Sequence, residues 1–232
     1  MLDLCAVKYL WPGFMTVGGS RHRPFSANLS IRCGGKRFRR IEMASVFSHG
    51  FVAVAIGTFQ PLPIRTTRFL VLSIFCAIVP DLDVIGYFAG IEYGDLFGHR
   101  GMTHSLLFAF LLALVVVRYG FSEYSSRSAG WWGLLLHFFL VTASHGVLDA
   151  MTNGGRGVAF FAPFDETRYF FPWRPVKVSP IGISSFFSLT GLLVLLSEAV
   201  FIWLPTWVFV KSFQRVGQWR VQRRQAPSMP PI

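Results

Sequence analysis

Charge is scarce in this sequence: Asp, Glu, Lys and Arg together make up 14% of its 232 residues, against about 25% in a soluble domain. The few charged side chains lie mainly between apolar stretches. With 53% hydrophobic residues and a mean hydropathy of +0.49, the composition excludes an ordinary water-soluble globule and points to an integral membrane protein. Cysteine is nearly absent. Cys5, Cys33 and Cys76 stand in no metal-binding or redox spacing, so no disulfide framework is expected. Acidic residues number 11 against 22 basic ones, for a net charge of +11. The basic excess gathers at the two ends, where such side chains hold a terminus against anionic lipid, and nucleic acid is not an expected partner. What is abundant is aromatic: 25 Phe and 7 Trp suit a chain that meets lipid and carries an interfacial belt.

Residues 1–42 differ from the rest. They hold Arg21, Arg23, Arg32, Lys36, Arg37, Arg39 and Arg40 in a Gly/Ser context, and read as a basic, disordered extension. The segment lacks a signal peptide's order of basic start, apolar run and cleavage site, and Arg39-Arg40 lacks the flanks of a twin-arginine signal. It reads as an arm on acidic lipid, as a targeting segment, or as the product of a mis-assigned start. In the last case Met43 is the first residue and Arg39-Arg40 is encoded by a purine-rich AGG-AGG ribosome-binding sequence.

From Ala44 onward, apolar stretches predict five helices, at about 44–60, 68–90, 102–119, 131–151 and 181–210, each near the roughly 20 residues a bilayer core requires. The fold class expected is therefore all-α, a polytopic transmembrane bundle of four to five helices spanning 43–211, followed by a basic, Pro-containing tail over 212–232. Consecutive helices of an up-and-down bundle run in opposite directions, so starts of odd helices share a face with ends of even ones. His49 near the first start, Asp81 and Asp83 toward the second end, His99 and His104 before the third, and His145 and Asp149 at the fourth end all fall on one side. Random placement would scatter ionisable residues over both faces. Basic segments flank both ends of the chain, and a cytoplasmic N-terminal region would make the site cytoplasmic.

The strongest local motif is His145-Gly-Val-Leu-Asp149, because positions i and i+4 of a helix point an imidazole and a carboxylate at one cation, both being ligand types that suit zinc. Taken alone, such a pair is more often a helix-end His beside a capping Asp. Pro80-Asp81-Leu82-Asp83 places two carboxylates among Ile78, Val79, Val84 and Ile85, where unpaired negative charge is unfavourable and a cation would offset it. His99-Arg100-Gly101-Met102-Thr103-His104-Ser105 packs two imidazoles, a guanidinium and two hydroxyls immediately before an apolar helix. Thr103 or Ser105 caps that helix, and its N-terminus would favour a phosphate held by Arg100 beside a metal held by His104. His99 reads as a ligand or a general acid. His137, roughly 12 Å along the helix from His145, reads as a packed core residue, and Glu198 is an intramembrane acid without a nameable partner. The connection 152–180 carries Gly154-Gly155-Arg156-Gly157 and then aromatic and basic clusters, which suit an interfacial segment over the site. Its glycine run is too short for a phosphate-binding loop.

With these motifs in order, the chain resembles the YdjM-like family of bacterial membrane-bound metal-dependent hydrolases, some of them described as LexA-regulated. The resemblance runs from about Met43 to about Pro180. It rests on His49, Pro80 to Asp83, His99 to Ser105, His145 through Leu148-Asp149 with Thr152, and Ala162-Pro163-Phe164. More distantly the chain is similar to the zinc-dependent phospholipase C and nuclease P1 group, whose ligand order His, Asp, His, then His-x-x-x-Asp is met here. It lacks a second His-x-x-x-Glu helix and a ligating mature N-terminus, which limits the implied centre to one or two ions. The resemblances imply a bacterial inner-membrane hydrolase of phosphoesters in a lipid or lipid-linked substrate. Metal, most readily zinc, would be bound by His49, Asp81, Asp83, His104, His145 and Asp149, with His99 and Arg100 catalytic. The alternatives are a non-catalytic metal-binding transporter or sensor, and a structural subunit whose polar residues only join helices.

Overall fold

Hydroxyl side chains decide where most of the helices begin. In the structure, a computed structural model that describes residues 31–33, 36–38, 45–178 and 188–225, four helices start on a Ser or Thr whose oxygen accepts a backbone N–H of the first turn. Thr66 accepts from Phe69 to open α2 (Thr67–Ile78), and Ser105 from Phe108 to open α3 (Leu106–Gly120). Ser128 accepts from Trp131 for α4 (Ala129–Ala150), and Ser188 from Gly191 for α5 (Leu189–Glu198). The first helix, α1 (Val46–Gly57), is capped from outside: the N–H and hydroxyl of Ser45 both donate to the buried carboxylate of Glu198, with the N–H to Oε1 bond at 2.6 Å. Glu198 thereby acquires the partner that its sequence context did not name.

The helices form the expected all-α membrane bundle, with the boundaries changed in two places. Pro80 lacks an N–H to continue α2, and the chain tightens into 3-10 turns over Val79–Ala89 that carry Asp81 and Asp83 before a left-handed Gly90 ends them. After α5 a π-helical turn, Ala199–Trp203, leads into α6 (Leu204–Gln225), so one rod runs well past residue 210. Among the described residues, three segments are long and apolar enough to cross a bilayer: Thr67–Tyr87, Ala129–Ala150 and Leu189–Trp219. α1 with 12 residues and α3 with 15 are shorter apolar helices, about 18 and 22 Å long at 1.5 Å per residue. Of the basic extension, the described residues form only a small antiparallel ribbon, Ile31–Cys33 with Lys36–Phe38; the remainder of the expected disordered segment, the start of the expected fifth helix and the end of the tail lie outside the described residues.

Ala53 of α1, Phe69, Cys76 and Ala77 of α2, Ala113 and Val117 of α3, and Leu134, Phe138 and Val141 of α4 form one buried core. The terminal rod packs along α1 and runs parallel to it, since Ser45 meets Glu198, Trp203 Nε1 donates to Ser48 Oγ at 2.9 Å, and Phe59 meets Phe209 and Phe213. One end of the bundle gathers the start of α1, the 3-10 turns, the start of α3, the end of α4 and the segment 152–178. The other gathers residues 58–68, 118–128 and α6.

Replacing Glu198 with Ala leaves the Ser45 donors buried and unpaired, and is expected to cost about 2 kcal/mol of stability. Thermal unfolding in detergent checks this, with Glu198→Gln intermediate because its amide oxygen still accepts; an unchanged melting temperature for Glu198→Ala would remove the carboxylate from the fold's support.

Candidate metal centre

Three backbone segments bring four of the candidate ligands together. His145 and Asp149 share a face one turn apart at the end of α4, Asp81 projects from the 3-10 turns that extend α2, and His104 closes the short turn Met102–His104 before α3. The sequence expectation that these residues meet on one side holds for this group: ligand atoms of Asp81, His104, His145 and Asp149 all lie within 4.8 Å of one another, and all four residues are buried.

The hydrogen bonds around this group leave it rich in lone pairs. His145 Nδ1 lies 2.7 Å from the carbonyl oxygen of Ala77, which can only accept, so Nδ1 carries the proton and Nε2 presents a lone pair. His104 Nδ1 lies 3.0 Å from Thr103 Oγ1 and 3.3 Å from Asp83 Oδ2. The Thr103 hydroxyl spends its own hydrogen on Asp83, at 2.7 Å, so its oxygen accepts from His104 Nδ1. The two Nε2 atoms therefore turn inward, 3.1 Å apart. Asp81 Oδ1 stands 3.2 Å from His145 Nε2, and Asp149 Oδ2 stands 3.4 Å from His104 Nε2. Among the described residues, no hydrogen bond reaches either Asp81 oxygen. Two imidazole lone pairs and two carboxylates in a buried space repel unless a positive charge sits among them. The same demand appears at His104: burial opposes its protonation, but Asp149, Asp81 and Asp83 outweigh burial and hold its pKa well above the ordinary histidine value. A divalent cation meets the demand with ligands of the right kind.

Asp83 sits one layer out. It takes hydrogen bonds from His99 Nδ1 at 2.7 Å, from Thr103 Oγ1 and from the Arg100 N–H at 3.2 Å, besides facing His104 Nδ1. Asp83, His99 and His104 make a second group able to approach one ion, but here their atoms already pair as donors and acceptor. His99 is fully buried, stacks edge-on against Tyr93, and has an Nε2 with no hydrogen-bond partner among the described residues.

Arg100, assigned from the sequence to an anionic substrate, is placed differently. Its side chain is fully buried, with Nε 3.0 Å from Asp149 Oδ2, one terminal nitrogen 3.1 Å from the Gly154 carbonyl and the other 3.2 Å from Thr152 Oγ1. Its backbone takes a left-handed φ of 62°, uncommon for a residue with a β-carbon. Gly155 makes the close packing possible: at φ +79° a β-carbon there would lie 2.5 Å from the guanidinium and 2.8 Å from the Tyr93 hydroxyl. His49, weakly marked in the sequence, stacks on His145 with ring centroids 3.9 Å apart, and its Nε2 lies 4.0 Å from Asp149 Oδ1. His137 lies outside the centre, bonded through Nε2 to Ser73 Oγ at 2.8 Å within the core.

Sequence reasoning missed Tyr93 and Arg168. Tyr93 is buried against His99, and its hydroxyl accepts the Arg156 N–H. Arg168 donates to the carbonyls of His99, Tyr93 and Asp95, tying segment 152–178 to the loop before α3. Neither stands in a recognisable motif; the only signal was an interrupted aromatic and basic spacing. The same segment exposes Phe161, Phe164, Phe171 and Trp173, as an interfacial stretch facing lipid would.

The family model described as YdjM inner membrane protein matches residues 43–219. The inner membrane protein YbcI of Escherichia coli strain K12 is 37% identical over 163 residues, which cover 70% of this chain and 92% of that protein. No solved structure matches the chain.

Asp83→Asn keeps all four inward-facing ligand atoms while weakening the acceptor that orients His104, and is expected to lower metal affinity about 10- to 100-fold in a competition titration. Unaltered affinity would deny Asp83 an orienting part. Because the surrounding carboxylates raise the His104 pKa above the ordinary histidine value, metal must displace its proton, and affinity should climb about tenfold per pH unit through the ordinary histidine range and beyond it; a profile already flat above the ordinary histidine pKa would contradict the coupling.

Proposed function

The chain belongs to the YdjM family of inner membrane proteins and is an integral inner-membrane protein, and from that premise we propose that it is a metal-dependent hydrolase acting on a phosphoester of a lipid or lipid-linked substrate. The observation that carries the reading is the inward convergence of His104 Nε2, His145 Nε2, Asp81 and Asp149 in a buried space. These four would hold a divalent ion, most readily zinc, with His49 the next nearest imidazole. When bound, the ion supplies a water of lowered pKa and polarises the scissile group.

The chain's own residues do the rest. Asp83 fixes the tautomer and direction of His104 and His99. The His99 Nε2 atom, buried and without a hydrogen-bond partner among the described residues, would take or give a proton. Arg100 holds Asp149 and the Thr152–Gly154 turn in place, and so acts as a positioning residue. The exposed Phe161, Phe164, Phe171 and Trp173 beside the centre favour a substrate that arrives from the lipid.

A second reading is favoured by one observation: each of the four converging side chains is at most 9% exposed. Such enclosure suits a non-catalytic metal-binding membrane protein, a transporter or sensor. Metal analysis of detergent-purified protein followed by a phosphoester panel separates the two. The hydrolase reading expects one or two bound ions, lost in His145→Ala and Asp149→Ala. It also expects turnover that falls about 100-fold or more in His99→Gln with its metal retained. Bound metal without turnover supports the second reading, and wild-type protein that binds no metal ends both.

A further inference from the structure

The two ends of the bundle differ in charge. The end away from the metal centre exposes Arg65 and Arg68 before and at the start of α2, Arg118 in the last turn of α3, Arg127 between α3 and α4, and Lys211 and Arg215 on α6. The last turns of α6 add Arg220, Arg223 and Arg224 in sequence. The acid described there is Glu123, which pairs with Arg68. These elements are spatially one surface, because Arg68 also stacks on Phe121, Gln60 donates to the Gly133 carbonyl, and Phe59 packs on Phe209 and Phe213.

The end that holds the centre is close to neutral. Among the described residues, its exposed or half-buried cations are Arg156, Arg168, Arg174 and Lys177, and Glu92, Asp95, Asp165 and Glu166 stand beside them. Three of the cations are engaged locally: Arg156 and Arg168 lie over the Tyr93 ring, Arg168 also donates to three carbonyls, and Arg174 lies over Phe170. Arg100 is buried against Asp149.

Basic residues in short loops and near helix ends stay on the cytoplasmic side, where anionic headgroups attract each of them by about 1 kcal/mol. We propose that the surface formed by residues 58–68, 118–128 and α6 lies on the anionic cytoplasmic leaflet, so that the His/Asp centre opens to the opposite, outer side of the inner membrane. This reverses the orientation that a cytoplasmic N-terminal segment would give. It also holds whatever the centre does, and it makes the outer side or the outer leaflet the source of the metal and of any lipid substrate.

Residues 1–42 join α1 at the centre's end and carry basic residues of their own, so two lengths of chain are compared. C-terminal fusions of the full chain and of the chain beginning at Met43 are made to a fluorescent protein that matures only in the cytoplasm and to a phosphatase active only outside it. Both lengths are expected to fluoresce and to lack phosphatase activity. Changing Arg65, Arg68, Arg118 and Arg127 together to Gln is expected to bring phosphatase activity up and fluorescence down. Phosphatase activity without fluorescence in the full chain would overturn the proposal, as would an orientation in the fourfold variant identical to wild type.

Discussion

Two imidazoles turn their Nε2 atoms toward each other across 3.1 Å, a conflict that only added positive charge, a proton on His104 or a metal ion, relieves, and the rest of the site is arranged around it. Neither ring can relieve it by changing tautomer. His145 Nδ1 is committed to the Ala77 carbonyl, and His104 Nδ1 to Thr103 and Asp83. Turning either proton inward would strand an acceptor in a dry interior. The carboxylate of Asp81 raises the negative potential further, and that of Asp149 does so only in part because Arg100 pairs with it. A cation is thus the condition under which this arrangement is favourable, and among cations a divalent metal uses all four groups at once.

The fold supplies the conflict at helix ends, where polar groups can be presented without breaking a transmembrane helix. α4 contributes two candidate ligands, His145 and Asp149, from successive turns. Pro80 converts the end of α2 into tighter turns that swing Asp81 and Asp83 toward it, and Ser105 starts α3 one residue after His104. Arg100 then locks the result, since one guanidinium joins Asp149 to the Thr152–Gly154 turn. Arg168 fastens the following segment to the loop before α3. The terminal rod reaches the same region through Glu198, whose carboxylate caps α1 four residues before His49. Ligand geometry, helix starts and the covering segment are therefore one connected structure.

Much of this was legible in the sequence because it depends on periodicity and alternation. Apolar run lengths gave the bundle, and the alternation of helix direction gave the shared face for Asp81, His104, His145 and Asp149. What could not be read was depth within the site. Asp81 and Asp83 stand two residues apart in one motif, yet one faces the cluster and the other faces outward to two histidines and a threonine, a difference set by the pitch of 3-10 turns. Arg100 looked free to meet an anion because its partners, Thr152 and Gly154, lie about fifty residues away in a segment with no regular structure. Glu198 was visible as an oddity, but its partner Ser45 belongs to the first helix, and only packing of the terminal rod brings them together. The rod's continuation past residue 210 was hidden by Lys and Arg, which end a membrane span without ending a helix.

X-ray absorption at the metal edge of zinc-loaded, detergent-purified protein examines the shared cation most directly. A first shell of nitrogen and oxygen at about 2.0–2.2 Å is expected, with the outer-shell scattering of two imidazoles, reduced to one in His104→Ala. A shell made of water alone, or an imidazole signal unaffected by that substitution, would contradict it.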